Sequence, residues 1–166
     1  KDLFIFTPEN KIYLHKFVKE LCGKYRKSHF EGVINVVNRF VEIINPKYLY
    51  LGQKDFQQMF LIKKHIRKNK IKTKIITCKT VRESNNVACS SRNKNLTKKQ
   101  FKIASSIYSV IHNCKKKIKK KGFSQKLIQD VIKQIKNLGV KKIDYVELVN
   151  LANARKVKSN SKKFNL

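Results

Sequence analysis

The sequence predicts an α/β fold in which part of a parallel sheet is followed by a small α+β region. Three observations carry this. Short apolar runs alternate with segments of helical period up to residue 81, the pattern of strands joined by crossover helices. After Val81 the texture changes to a polar stretch, two further helical patterns and one more apolar run. Between these, Gly52 ends an apolar run and is followed at once by Gln53, Lys54, Asp55 and, one helical turn on, Gln58. That places a polar cluster at the carboxyl end of a strand, where open α/β sheets bind their ligands.

The elements follow in order. "DLFIF" (2–6) reads as a buried strand ended by Thr7-Pro8. Residues 11–25 are open to two readings, a helix or a short strand and loop leading to Cys22-Gly23. From His29 to Ile44 the apolar positions 33, 36, 37, 40, 41 and 44 have helical spacing, and Pro46 stops the run. "YLYL" (48–51) is a short buried strand. Phe56 to about Asn69 is a helix offering Phe56, Met59, Phe60, Ile62 and Ile66 to a core, and "KIITCKTV" (74–81) is the next strand. Residues 82–95 are polar and loop-like. Thr97 is placed to cap a helix reaching about Lys120, with Phe101, Ala104, Ile107, Tyr108, Ile111 and Cys114 on one face. Ser124 opens a helix through Leu138 that Gly139 closes. "VKKIDYVELVN" (140–150) reads as a strand, and the tail after Ala154 as frayed.

Composition bounds the function. A hydrophobic share of 41% supports a packed core, and no apolar run of about 18 residues predicts a membrane span. Cys22, Cys78, Cys89 and Cys114 form no C-x-x-C and have no His at zinc-finger spacing. They read as reduced thiols of a cytoplasmic protein rather than metal ligands. The formal charge is +30, from 40 Lys+Arg against 10 Asp+Glu. Such a field attracts polyanions, and a basic nucleic-acid-binding module is therefore one competing reading. The basic residues are nearly all Lys, however, with Arg only at positions 26, 39, 67, 82, 92 and 155. Base-edge and planar phosphate recognition favour Arg. Asn, Ile, Phe and Tyr are abundant too, so the charge fits compositional drift toward A/T-rich codons better than specific nucleic-acid binding.

Two polar clusters carry candidate chemistry. In the first, Gly52 allows close backbone approach, and the helix that follows presents unpaired N–H groups to an anion. Lys54 adds a point charge suited to phosphate, Asp55 can accept from ribose hydroxyls, and the Gln58 amide can both donate and accept. The bland alternative is that Asp55 merely caps the helix and Lys54 is solvated. In the second, "CSSRN" (89–93), two hydroxyls, a guanidinium and the loop N–H groups can close over a triphosphate. Its bland alternative is a polar hinge whose serines cap a turn.

The motifs "LGQKDFQQMFLIKK", "VACSSRN", "LCGKYRKSHFEGV" and "IDYVELVN" together resemble the pantoate–β-alanine ligase family. That family shows G-E-K-D-[FY]-Q-Q followed by [LM]-S-S-R-N, with L-[CE]-G-x-x-R-P-x-H-F-x-G-V upstream. The four landmarks occur in the right order across nearly the whole chain. The resemblance implies the second half of a Rossmann-like nucleotidyltransferase parallel sheet (1–82), a hinge and phosphate-closing loop (83–95) and a truncated α+β lid domain (96–166). It implies ATP-dependent joining of pantoate to β-alanine through a pantoyl adenylate, with ATP as co-substrate, Mg²⁺ as cofactor and a homodimer in the cytoplasm. By motif position it implies an ATP segment at Gly52, Gln53, Lys54 and Asp55, a pantoate ligand at Gln58, and an adenine contact through the backbone at Val81. Cys89, Ser90, Ser91 and Arg92 take the place of the closing triphosphate loop. Lys54, Ser90, Ser91 and Arg92 are the residues it marks as catalytic.

The sequence also departs from the family pattern. Gln53 stands where Glu is frequent, Lys27-Ser28 where Pro-Gly is usual, Asn85-Asn86 where Asp/Glu-Gly is usual, and Cys89 where Leu or Met is usual. The family's P-T-M-G-x-L-H-x-G-H segment is absent, and His15 lies in the wrong context to replace it. The chain is therefore expected to be a partial enzyme, inactive by itself, with a decayed paralogue as a further competing reading.

Overall fold

The computed structural model describes residues 9–157. The strand expected at 2–6 lies outside them. The chain forms two compact units that meet between Thr80 and Val81.

The first unit is built on a parallel pair of strands, β1 (Tyr48–Gly52) and β2 (Lys74–Cys78). A short helix α1 (Cys22–Tyr25) and the helix α2 (His29–Ile44) precede β1, and α3 (Phe56–Lys68) joins β1 to β2. The register pairs Leu49 with Ile75 and Leu51 with Thr77 on one face, and Tyr50 with Ile76 on the other. Leu49, Leu51 and Ile75 pack against Val41 of α2 and Ile62 and Ile66 of α3, so both helices cover the same face. β2 is shorter than the expected 74–81. Cys78 pairs with Gly52, and there β1 turns into the 3₁₀ turn Gln53–Asp55, so the ladder has no partner to continue along.

Segment 11–25 is neither a strand nor a long helix. It is an irregular stretch with a 3₁₀ turn at Lys16–Lys19, followed by α1. Side chains of α3 and the residue after it hold it in place. The His65 Nδ1 accepts the Tyr13 N–H at 3.1 Å, the Asn69 amide donates to the Lys11 carbonyl at 3.1 Å, and Phe17 sets its ring edge-on to Phe60. Gly23 is required here, because a Cβ at this position would lie 1.7 Å from the Val18 carbonyl oxygen. α2 ends at Ile44 with Asn45 in the left-handed region, its N–H returning to the Val41 carbonyl, a common helix stop.

His65 is fully buried and its tautomer is fixed by its neighbours. Nδ1 accepts from Tyr13, so Nε2 carries the proton and donates to the Asn38 side-chain oxygen at 2.9 Å. Asn38 in turn donates to Glu42, which also receives the Asn10 N–H and the Arg39 guanidinium. Burial raises the Glu42 carboxyl pKa, but these hydrogen bonds together outweigh it and hold the pKa below its ordinary value. Burial lowers the His65 pKa, with the Glu42 charge pulling the other way.

The second unit holds α4 (Lys98–Lys121) and α5 (Gln125–Asn137), packed through Cys114, Ile118, Phe123, Ile128, Val131 and Ile135. Thr97 caps α4 in a reciprocal pair with Gln100. Ile111, expected on the buried face, is about half exposed (49%). The strand expected at 140–150 is not paired into a ladder. Val140, Ile143, Val146 and Leu148 do pack on the α4–α5 core, but among the described residues the segment's one β pairing is the isolated bridge Val149–Lys156. Apolar residues can bury one side of an irregular segment without a partner strand to bond its backbone.

Both the entry into α2 and the buried histidine can be tested by unfolding. Ser28, which stands where the family pattern has Gly, enters α2 at φ 56°, and a left-handed residue with a Cβ costs roughly 1–2 kcal/mol. Ser28→Gly should raise the urea unfolding midpoint of the first unit and Ser28→Val should lower it; the reverse order would exclude this conformation. For His65, the folded pKa lies below the ordinary 6.5, so the unfolded state binds the proton more tightly. Its contribution is fully present above pH 6.5 and declines as pH falls from there toward the depressed folded value. The urea midpoint should therefore hold above pH 6.5 and drop as pH falls below it, and His65→Gln should flatten that drop. Part of the slope will remain from His15, whose pKa burial and Lys64 also lower.

Candidate functional site

In the first unit, β1 delivers Gly52 to the chain turn and the 3₁₀ turn Gln53–Asp55 carries Lys54 and Asp55 onto the N-terminus of α3. Gly52, Gln53, Lys54 and Asp55 are all exposed, and Gln58 is half-buried. Asp55 occupies the N-cap position of α3 but makes no side-chain capping bond. The simple capping explanation for this aspartate therefore fails, and its carboxylate remains available at the mouth of the helix. Gln58 makes no side-chain hydrogen bond among the described residues.

The neighbouring Gln57 behaves in the opposite way. It is buried, donates to the Phe17 and Glu20 carbonyls at 2.8 and 2.7 Å, and accepts the Cys22 N–H at 3.1 Å. These bonds bracket Leu21, which sits at φ 45°, a conformation that costs a residue with a Cβ on the order of 1–3 kcal/mol. The motif marks Gln58 of the "QQ" pair as a ligand and gives Gln57 no role. The signal that separates them is spacing: Gln57, Leu61, His65 and Asn69 recur every four residues and share the inward face of α3.

In the second unit, the candidate loop is the far arm of a tight hairpin. Arg82 bridges Ala88, the Cys89 N–H bonds the Val81 carbonyl at 3.0 Å, and the Glu83 N–H bonds the Val87 carbonyl at 2.8 Å. Asn86 takes φ 69° at the bend, and the Asn85 side-chain oxygen accepts the Val87 N–H. Asn is the residue with a Cβ that best tolerates the left-handed region, so Asn85-Asn86 does the work of the usual Asp-Gly. Asn93 pins the loop by donating to the Ala88 carbonyl at 3.1 Å and to Glu83. The Arg82 guanidinium lies 4.3 Å over the Tyr108 ring of α4. A groove of ≈ 390 Å³ beside this pair is lined by Val87, Ile107, His112 and Lys115 among others.

Ser90 caps the 3₁₀ turn Ser91–Asn95, its hydroxyl accepting the Arg92 N–H at 3.2 Å. The turn-capping role is therefore real for Ser90. Ser90 is half-buried, and Ser91 and Arg92 are exposed, as are Cys89 and Val81, the latter by 71%. Among the described residues no group of three or more His, Cys, Asp or Glu is placed to hold a metal ion, and no helix is long and apolar enough to cross a membrane.

Comparison with known proteins places these features in context. Residues 2–166 match the family model for pantoate-beta-alanine ligase. The chain is 38% identical over 131 residues to the pantothenate synthetase of Flavobacterium psychrophilum, covering 79% of this chain and 46% of that protein. It is 35% identical over 143 residues to that of Caldicellulosiruptor bescii, covering 84% and 50%. Among solved structures it resembles the Francisella tularensis pantoate-beta-alanine ligase complexed with beta-gamma ATP and beta-alanine (TM-score 0.69, 35% identity, 84% of this chain and 50% of that one). It shares the fold of pantothenate synthetase from Thermus thermophilus (TM-score 0.81, 23% identity, 92% and 56%). The chain spans about half the length of the curated relatives it matches.

The two adjacent glutamines should separate cleanly in a stability measurement. Gln57→Leu removes three hydrogen bonds at a buried site, while the Phe17 and Glu20 carbonyls keep the Glu20 and Gly23 N–H donors, so the loss should be about 1–3 kcal/mol in all. Gln58→Ala removes no such bond and should stay within about 0.5 kcal/mol of the parent, as surface substitutions do. Equal losses in chemical denaturation would show that Gln58 too is structural.

Proposed function

The chain belongs to the pantoate–β-alanine ligase family, and we propose that it supplies the ATP- and pantoate-binding parts of an enzyme that joins pantoate to β-alanine. The observation that carries this reading is the uncapped N-terminus of α3, where Lys54 and Asp55 are exposed and Asp55 makes no capping bond. A helix start with an exposed lysine beside it attracts phosphate oxygens. The Francisella tularensis relative was solved with beta-gamma ATP and beta-alanine, which agrees in ligand class.

In this reading the pantoate carboxylate attacks the α-phosphorus of ATP. The bond to the bridging oxygen breaks, and pyrophosphate leaves with its electron pair. The β-alanine amine then attacks the acyl carbon, AMP departs as a stable leaving group, and the amine proton passes to solvent. Gly52, Gln53, Lys54 and Asp55 form the nucleotide segment, and Val81 meets adenine through its backbone. Cys89, Ser90, Ser91 and Arg92 provide donors to the triphosphate. Gln58, with its amide uncommitted, binds pantoate. Mg²⁺ when bound neutralises charge on the phosphates. Asp55 is the one carboxylate in either cluster, which fits an ion that takes most of its ligands from phosphate oxygens and water. The working enzyme is a homodimer in the cytoplasm.

Ligand-dependent thermal stability tests the assignment in the 166-residue chain itself. ATP should raise the melting temperature, and pantoate should add a further increment. Lys54→Ala should remove the ATP shift. Gln58→Ala should keep the ATP shift and lose the pantoate increment, since one or two hydrogen bonds to a polar ligand are worth about 1–3 kcal/mol, roughly tenfold to a hundredfold in Kd. No response to ATP, or equal weakening of both ligands by Gln58→Ala, would refute the reading.

A further inference from the structure

The groove of ≈ 390 Å³ in the second unit runs between the hairpin 82–88 and α4, and its size falls within the roughly 300–1,000 Å³ common for small-molecule sites. Ile107, Tyr108, Ile111 and Lys115 form the α4 wall, and Arg82 and Val87 stand opposite. The α4 residues recur at three- and four-residue steps, so they share one helical face. That face flanks the one that Cys114 and Ile118 turn toward α5, with Ile107 common to both. Ile111 lies on it about half exposed.

The walls are tied together. The Ser105 hydroxyl of α4 donates to the Asn85 carbonyl of the hairpin. The Arg82 guanidinium lies over the Tyr108 ring and donates to the Asn86 carbonyl at 3.0 Å. His112 stacks beside the same ring, at 5.6 Å and 22°.

We propose that this groove binds a slender amphipathic anion, an apolar chain ending in a carboxylate. The carboxylate pairs with Arg82, and the chain lies along Ile107 and Ile111 toward the stem of Lys115.

Charge selects the head group. The residues lining the groove include Arg82 and Lys115 and no Asp or Glu. A guanidinium has five N–H donors in a planar fork that matches a carboxylate. Arg82 is already held in place by a ring and a carbonyl, so little side-chain freedom is lost on binding. Shape selects the tail. The row from Ile107 to Lys115 extends about 12 Å along the helix, at 1.5 Å per residue, and its middle residue is the half-exposed Ile111. Covering that row removes apolar surface from water. A neutral chain would bury the row but leave Arg82 desolvated without a partner, and a bare anion would leave the row uncovered. A second copy of this chain is disfavoured, because each brings a formal +30. All these residues lie in the second unit. None belongs to the proposed nucleotide or pantoate sets, so the inference stands or falls independently of those assignments.

Calorimetric titration of the 166-residue chain with decanoate, kept below its micelle concentration, tests it. Decanoate should saturate a single site, with decanol and acetate each at least about tenfold weaker. Arg82→Gln should weaken decanoate roughly tenfold and leave decanol unchanged. Ile111→Asp should weaken both. Tyr50→Ser, at an exposed aromatic of the first unit, should change neither, and ATP should leave the decanoate Kd unaltered. Circular dichroism and the urea midpoint verify each fold; if Ile111→Asp does not fold, the decanoate–decanol split in Arg82→Gln decides alone. The proposal is overturned by absence of saturable decanoate binding, by decanol binding as tightly as decanoate, or by parental binding in folded variants at 82 and 111. Competition by ATP, weakening by Tyr50→Ser, or self-association of the chain that Ile111→Asp abolishes would overturn it as well.

Discussion

The first unit depends on a column of polar side chains along one face of α3, with Gln57 and His65 buried and Asn69, just past its end, half-buried. All three bond backbone groups of the irregular segment that precedes α2. Tyr13, Lys11, Phe17, Glu20 and Cys22 each place a main-chain group against one of them. Buried backbone groups must be paired, and here the pairing comes from side chains spaced four and eight residues apart along a single helical face. Leu61, in the same column, is fully buried and supplies the apolar contact between the polar ones. Remove Gln57 and the bonds that bracket Leu21 at positive φ are lost.

That arrangement explains how a strongly charged chain keeps an ordered interior. With a formal charge of +30, most lysines are exposed, and their mutual repulsion opposes compaction. Arg39 is buried, and it sits beside Glu42, whose oxygens also take the Asn10 and Asn38 donors. The charge that does enter the core is therefore bonded on several sides, which is the condition under which a buried pair can be kept. His65 adds no charge at neutral pH, because its two nitrogens are committed as one acceptor and one donor.

Much of this was legible in the sequence, and the misses share a cause. The helices 29–44, 98–121 and 125–137 and the strand 48–52 follow from periodicity and from stop signals such as Pro46. The short stretch 16–25 did not follow, because its conformation is set by α3 side chains such as Gln57, 35 to 40 positions away along the chain. The same holds for 140–150. Its apolar residues Val140, Ile143, Val146 and Leu148 do reach the core, but an apolar run cannot say whether another strand lies alongside. Of the candidate site, the motif residues and their placement at a strand end were readable. The contrasting duties of Gln57 and Gln58 were missed, although the four-residue spacing of Gln57, Leu61, His65 and Asn69 marks the inward face; which backbone groups lie opposite Gln57 is set by a segment 35 to 40 positions away.

The departures from the family pattern show what the local backbone demands. At 86 the chain needs a left-handed residue, and Asn supplies it while Asn85 keeps the Asp-like bond to the Val87 N–H. At 28 the same demand is met by Ser, with no side-chain cap to offset it, so strain is retained rather than removed. Both changes preserve the path of the chain through its turns. Exposed Lys54, Asp55 and Arg92, by contrast, contribute little packing that would hold them in place. Ser90 is accounted for by its turn cap, whereas Asp55 stands at the start of α3 without a side-chain capping bond.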